Sequence, residues 1–142
     1  MKKYSFLLVC LVLSLTAMAQ KPVINFALTN HDFGKINESD GPATFIFNFT
    51  NTGKAPLVIN RVQASCGCTT PSYTKEPIEP AKKGEITVTY NPAGRPGAFT
   101  KTITVYSNDS IEQKVLIIKG EVIPKSAVPA VPAPVSPVMN KQ

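Results

Sequence analysis

The sequence of 142 residues contains no tryptophan, one histidine and three cysteines, and only 17% of it is charged. A chain this poor in imidazole and thiol groups offers few ways to build an acid–base or nucleophilic active centre, so we expect no enzyme. With 43% hydrophobic residues, 13 prolines and 8 glycines, the composition also excludes a coiled coil, a collagen-like repeat and a wholly disordered chain. The length fits a single domain.

The N-terminal segment has the pattern of a bacterial secretory signal peptide. Two lysines precede an apolar run from Phe6 to Leu15, and Ala17 and Ala19 form the small-residue arrangement required for cleavage before Gln20. The apolar run is about half as long as a membrane-spanning helix, which needs about 20 residues. We therefore predict that residues 1–19 are removed on export to the periplasm, the cell surface or the medium, and we expect no transmembrane segment in the mature chain.

Basic residues give no sign of a nucleic-acid partner. The formal net charge of +6 falls by two when the signal segment leaves, because that segment holds two lysines and no acidic residue. In the rest of the chain, Lys82 and Lys83 form the only adjacent basic pair. A nucleic-acid-binding domain shows a basic stripe or a known motif, and this sequence shows neither.

The body of the chain alternates between apolar and polar residues with the period of a β-strand. In the clearest run, Phe45, Phe47 and Phe49 share one face, and the alternate residues are mostly polar. An apolar run at Val115–Ile118 predicts a central or covered strand, and Gly34 predicts a bend or bulge. The predicted strands are Val23–Leu28, His31–Ile36, Ala43–Asn51, Leu57–Ala64, Glu85–Asn91, Phe99–Ser107 and Gln113–Val122.

About seven short strands separated by turn residues predict one all-β domain, an immunoglobulin-like β-sandwich over residues 20–123. Residues 124–142 differ, since five prolines alternate there with alanine and valine. This composition cannot pack a core and favours a disordered, extended tail. Such a tail can also serve as a spacer or as a ligand for the aromatic groove of a partner.

Six strings in the body form a recognisable combination. They are HDFGKI at 31–36, FIFNFTNTGKAPLVI at 45–59, SCGCT at 65–69, IEP at 78–80, GEITVTYNP at 84–92 and RPGAFTKTITVYSN at 95–108. Together they resemble the bacterial secreted family called domain of unknown function 1573, over about Phe26 to Val122. The resemblance implies an immunoglobulin-like sandwich related to Hydin and major-sperm-protein modules, and it implies no established reaction.

The Cys66–Gly67–Cys68 sequence is the most unusual local feature. In a straight strand the two Cα atoms would lie about 6.6 Å apart, whereas a turn at Gly67 would bring the sulfurs together in a small ring that is easily reduced. Three interpretations stay open. The cysteines are structural thiols or a local disulfide, a redox-active or intermolecular thiol pair, or two ligands of a Cu(I) or zinc site. His31 supplies a third ligand only if the fold brings it near.

His31 is followed by Asp32, which suggests acid–base chemistry. Neighbours in a strand point to opposite faces, so we expect no contact between them and a solvated or capping role for His31. The carboxylates are scattered and mostly lie beside turn residues, where solvated charges are the rule. We therefore predict no catalytic residues and no cofactor.

These observations predict an exported, non-catalytic immunoglobulin-like module that binds or assembles with a protein or other component of the bacterial cell envelope. Recognition would use strand addition at an exposed sheet edge or the loops at one end of the sandwich. The alternative function is a copper-handling or thiol-redox protein that uses Cys66 and Cys68.

Overall fold

Eight β-strands and one short 3₁₀ helix form the part of the chain that the structure, a computed structural model, describes: residues 20–111 and 113–125. The predicted signal segment and the tail beyond Lys125 lie outside these residues. No helix in the described part is long and apolar enough to cross a membrane. The 3₁₀ helix is Glu38–Asp40, and the strands are β1 Ile24–Phe26, β2 Asn30–Asn37, β3 Ala43–Asn51, β4 Ile59–Ala64, β5 Thr69–Tyr73, β6 Lys83–Tyr90, β7 Gly97–Ser107 and β8 Gln113–Ile123.

The strands form two four-stranded sheets, ordered β1-β3-β6-β5 and β2-β8-β7-β4. Neighbouring strands are antiparallel except for β2 and β8, which run parallel. The predicted all-β, immunoglobulin-like sandwich is therefore confirmed. The last two long strands, β7 and β8, form a hairpin around Asn108–Ser110, with Tyr106 opposite Gln113.

The core lies between the sheets and is built by the alternating apolar residues of the four longest inner strands. Phe47 and Phe49 of β3 are each 1% exposed, as predicted from their spacing, whereas Phe45 is only partly buried. The ring of Tyr90 stacks on that of Phe99 with centroids 4.0 Å apart, which joins the two layers at one end. The other large buried core residues are Leu57, Ile86, Val88, Ile103, Val105, Leu116, Ile118 and Val122.

The described residues contain eight strands rather than about seven, because β5 was not among the predicted strands. This strand has only five residues and contains Pro71, which lacks a main-chain N–H and so argues against a strand. A proline is tolerated at this position because β5 lies at the edge of its sheet and pairs with β6 alone. The predicted central strand is β8, but Val115 is 50% exposed, so the outer face of β8 is not covered at that residue.

The first strand is shorter than the predicted Val23–Leu28. After Phe26 the chain leaves the first sheet, and it enters the second sheet as β2 from Asn30. Leu28 lies in this crossing and is 59% exposed. The predicted bulge at Gly34 is present, since the β2–β8 register shifts there and Gly34 has a φ of 64°. The side chain of Asp32 fixes this bulge by accepting a 2.8 Å hydrogen bond from the N–H of Gly34.

One buried polar side chain, that of Asn51, ties three segments together at the end of β3. Its Nδ2 donates to the carbonyls of Ala55 and Ile78, both at 2.8 Å. Its Oδ1 accepts from the N–H of Gly53 at 3.0 Å and of Val23 at 3.3 Å. Because Asn51 is fully buried, these contacts satisfy a side chain that water does not reach.

Candidate functional site

The Cys66–Gly67–Cys68 segment forms the link by which the chain passes from β4, at the edge of one sheet, to β5, at the edge of the other. Main-chain hydrogen bonds hold the link on both sides. The N–H of Ser65 donates to the carbonyl of Thr102 in β7, and the N–H of Asn91, just after β6, donates to the carbonyl of Cys68, both at 2.9 Å. These main-chain bonds fix the link to both sheets independently of the cysteine side chains.

The two cysteines form a disulfide, with their Cα atoms 5.3 Å apart. This separation is shorter than that expected in a straight strand, so the chain turns at Gly67 as one of the three interpretations requires. The φ of Gly67 is not positive, and a Cβ atom at this residue would contact no other atom within 4 Å. The turn is therefore open to solvent on the glycine side.

The two sulfurs have different surroundings. Cys68 is buried, with 8% of its surface exposed, whereas Cys66 is only partly buried. The hydroxyl of Thr69 lies 3.7 Å from the sulfur of Cys66 and 3.8 Å from that of Cys68. A hydroxyl at these distances can donate a hydrogen bond to either sulfur. The pair therefore consists of one partly exposed cysteine and one buried cysteine that share a hydroxyl donor.

His31 is half-buried among aromatic rings and does not occupy the solvated or capping position expected from the sequence. Its ring stacks on Phe45 with centroids 3.6 Å apart and meets the edge of Phe33 at 4.5 Å. Burial lowers the pKa of His31 below 6.5, while the charge of Asp32 opposes this shift. Asp32 itself pairs with the ammonium of Lys119 at 3.4 Å.

The structure does not bring His31 together with the two cysteines as a set of metal ligands. No group of three or more histidine, cysteine, aspartate or glutamate side chains in the described residues is placed to hold a metal ion. In the disulfide state neither sulfur is a thiolate, which is the form that binds copper or zinc. A metal role for Cys66 and Cys68 therefore requires prior reduction.

The edge of β3 that faces β1 is open over its first half. β1 pairs only with Phe49–Asn51, and one further bond joins the N–H of Ala27 to the carbonyl of Asn48 at 3.1 Å. Main-chain groups alternate in direction along a strand, so Thr44 and Ile46 direct their N–H and C=O groups to the same side as Asn48. In the described part of the chain no strand pairs with them on that side.

The side chains around this open edge of β3 are uncharged. Thr44 is exposed and Ile46 is 43% exposed on the outer face, whereas Phe45 points inwards and is covered by the stacked ring of His31. Aromatic rings thus shield the core beneath the open edge from solvent, although no strand of the described residues pairs with that edge. The sequence carried one signal of this site, an isoleucine at position 46 among the polar residues of the outward face.

Three of the four outermost strands, β2, β4 and β5, carry features that hinder pairing with another chain. β2 has the bulge at Gly34 and charged neighbours, and β5 contains Pro71. β4 has a shifted register next to Asn60, whose carbonyl accepts a 3.5 Å hydrogen bond from the hydroxyl of Tyr73. The open edge of β3 has none of these features, which distinguishes it as a surface for strand addition.

The family model described as "Protein of unknown function (DUF1573)" matches residues 24–122. The chain belongs to this family. The matched region begins with the first residue of β1 and ends one residue before the end of β8, so the DUF1573 unit is the sandwich itself. Both the disulfide link and the open edge of β3 lie within it. The resemblance inferred from the sequence strings is confirmed.

Solved structures with low sequence identity share the fold. A protein of unknown function from Porphyromonas gingivalis W83 is 18% identical with a TM-score of 0.65, covering 76% of this chain and 50% of that one. The chain thus spans half the length of that protein. The VesB protease of Vibrio cholerae is 12% identical with a TM-score of 0.53, covering 72% of this chain and 31% of the protease. No curated protein matches the chain.

Proposed function

We propose that this DUF1573 chain is an exported, non-catalytic module that binds a protein of the bacterial cell envelope by accepting one of its strands. The observation that carries the proposal is the open edge of β3, where Thr44 and Ile46 direct main-chain groups away from the sheet. The export pattern of residues 1–19 supports the compartment. A partner strand would lie beside Thr44 and Ile46. This is the position that β1 would fill if it continued along β3 past Phe26 instead of crossing to the other sheet.

Strand addition satisfies both the hydrogen-bonding groups and the side chains at this edge. An added strand would exchange up to four main-chain hydrogen bonds with Thr44 and Ile46, which supply affinity irrespective of sequence. Its side chains would alternate between the outer face, beside Ile46, and the inner face, towards Phe45 and His31. Apolar residues at alternate positions of the partner would therefore fit best.

Export is tested by the mass of the protein recovered from its own host. We expect a chain that begins at Gln20, because Ala17 and Ala19 fit signal-peptidase cleavage. A product that retains residues 1–19 and fractionates with the cytosol would contradict export, and with it the envelope partner.

Strand addition is tested by replacing Ile46 with a photo-crosslinking amino acid in the native host. The matched control places the same residue at Val115, which is similarly exposed, at 50% against 43%, but lies on the other sheet away from the open edge. We expect a discrete crosslinked envelope protein from position 46 that is absent from position 115. It should also disappear when Thr44→Pro removes one N–H donor of the edge. Equal products from both positions, or none from either, would contradict the proposal.

The alternative thiol-based functions rest on Cys66 and Cys68, which are joined in a disulfide. Copper binding requires their reduction, so it is tested by Cu(I) titration of the reduced protein. Binding no tighter than that of the Cys66→Ser/Cys68→Ser double variant would remove this alternative. Disulfide exchange requires no such prior reduction.

A further inference from the structure

We propose that Cys66–Cys68 is an exchange-active disulfide that oxidises a dithiol of another exported protein, with Cys66 as the attacked sulfur. The proposal goes beyond strand binding and does not depend on it, because the disulfide link lies between β4 and β5 whereas the open edge belongs to β3. Three observations carry it: unequal exposure of the two cysteine residues, a hydroxyl within 4 Å of both sulfurs, and main-chain bonds that hold the link without the disulfide.

Unequal exposure decides which sulfur is attacked. Exchange requires a thiolate to approach a sulfur directly, and access is one of the factors that set its rate. Cys66 is partly buried and is followed by Gly67, whose side is open, whereas Cys68 is only 8% exposed. A partner thiolate therefore reaches Cys66, and Cys68 becomes the leaving group.

The hydroxyl of Thr69 lies where charge develops during exchange. It is 3.8 Å from the sulfur of Cys68, which departs as a thiolate, and 3.7 Å from that of Cys66. A hydrogen bond to a charged acceptor is stronger than one to a neutral acceptor, so this hydroxyl stabilises the leaving thiolate more than the intact disulfide. Thr69 is thus a positioning residue that favours cleavage.

The link keeps its shape when the disulfide opens, because other bonds hold it. The N–H of Ser65 is bonded to the carbonyl of Thr102, and the carbonyl of Cys68 to the N–H of Asn91. Thr69 also begins β5 and pairs with Tyr90 in β6. The sandwich is therefore expected to stay folded in both redox states, as reversible exchange requires.

The exchange balances as one stoichiometric reaction with a dithiol. The first partner thiolate attacks the Cys66 sulfur, forms a mixed disulfide and breaks the Cys66–Cys68 bond, and Cys68 leaves as a thiolate. The second partner thiolate attacks the partner sulfur of the mixed disulfide and releases Cys66 as a thiolate. The two protons of the partner thiols end on Cys66 and Cys68. The partner loses two electrons, and this chain gains them.

The first experiment follows reduction of the chain from Gln20 to Gln142 by dithiothreitol under native conditions. We expect reduction without loss of the β-sheet circular-dichroism signal, at a rate no more than a few-fold below that in urea. Thr69→Val should slow native reduction, by about threefold, because the leaving thiolate of Cys68 loses its hydrogen-bond donor and a less stable thiolate leaves more slowly. Thr70→Val, at the exposed neighbour, should leave the rate unchanged. Reduction that occurs only when the protein unfolds would overturn the proposal.

The second experiment uses glutathione disulfide to compare single-cysteine variants. In Cys68→Ser the free Cys66 should form a mixed disulfide with glutathione at least tenfold faster than the free Cys68 does in Cys66→Ser. Circular dichroism establishes that each variant is folded. If either variant fails to fold, alkylation of the wild type during partial reduction gives the same comparison, with Cys66 labelled first. Equal rates at the two cysteines would overturn the assignment of Cys66 as the attacked sulfur.

Discussion

Replacing Asn51 with alanine removes four hydrogen bonds from the end of β3 and should strongly destabilise the sandwich. The N–H groups of Val23 and Gly53 and the carbonyl of Ala55 lose the hydrogen bond to Asn51, and the carbonyl of Ile78 keeps only its 2.9 Å bond from the N–H of Leu57. The bond to Ile78 is buried, and the other three are partly buried, so water replaces some of them. Each lost hydrogen bond costs about 0.5–1.5 kcal/mol, so we expect a total loss of about 2–5 kcal/mol.

Urea unfolding followed by far-ultraviolet circular dichroism measures this loss. A domain of this kind has a free energy of unfolding of about 5–15 kcal/mol, so the expected loss shifts the midpoint far beyond error. Asn48→Ala, an exposed position on the same strand, is the matched control and should change stability by less than about 0.5 kcal/mol. If Asn51→Ala lowers the free energy of unfolding by less than about 1 kcal/mol, the Asn51 side chain does not hold these segments together as described.

A charged residue at position 51 tests the same hydrogen bonds in an independent way. Asn51→Asp keeps the acceptor for Val23 and Gly53 but places a carboxylate against the carbonyls of Ala55 and Ile78. Burial and these carbonyls raise the folded-state pKa of the new carboxyl above its unfolded value of about 3.9. The variant should therefore be closest to the wild type below that pH and lose stability as pH rises through the folded-state pKa. A constant difference from wild type across pH would contradict this.

Three further predictions concern stability. Gly84→Ala places a methyl group against the ring of Phe49 and should cost about 1–3 kcal/mol by thermal or urea unfolding, whereas Gly67→Ala, in open space, should cost less than about 0.5 kcal/mol. Burial lowers the pKa of His31 in the folded state, so the unfolded chain takes up the proton first. Wild-type stability should fall as pH drops below 6.5, and His31→Gln should lack this component. Asp109→Ala removes the acceptor of the buried Ile24 N–H and should cost about 1–3 kcal/mol, with faster hydrogen exchange at Ile24; unchanged exchange there would contradict the assignment.

The features of the fold that depend on local alternation could be predicted from the sequence. The spacing of Phe45, Phe47 and Phe49 fixes which face of β3 meets the core, since side chains alternate across a strand. The bulge at Gly34 is also a local feature, and it is present. β5 was missed because Pro71 is unfavourable within a sheet, and its tolerance at an edge depends on the neighbours of the strand.

The features that depend on distant contacts could not be predicted. Asp109 lies in a turn of polar residues, which predicts a solvated charge, yet it is 6% exposed and accepts a hydrogen bond from Ile24, 85 positions away. The open edge of β3 exists because the chain leaves the first sheet after Phe26, and no local pattern marks that crossing. For Cys66–Gly67–Cys68, glycine permits both a strand and a turn, so the sequence left its geometry open.

Residue-resolved hydrogen exchange of the folded chain tests the open edge of β3, on which the proposed function rests, most directly. The N–H groups of Phe45 and Phe47 point to β6 and should exchange slowly, as members of a central ladder. Those of Thr44 and Ile46 point away from β6 and should exchange faster by at least tenfold in the free protein. Protection at Thr44 and Ile46 equal to that at Phe45 and Phe47 would show that the edge is already paired and would contradict strand addition there.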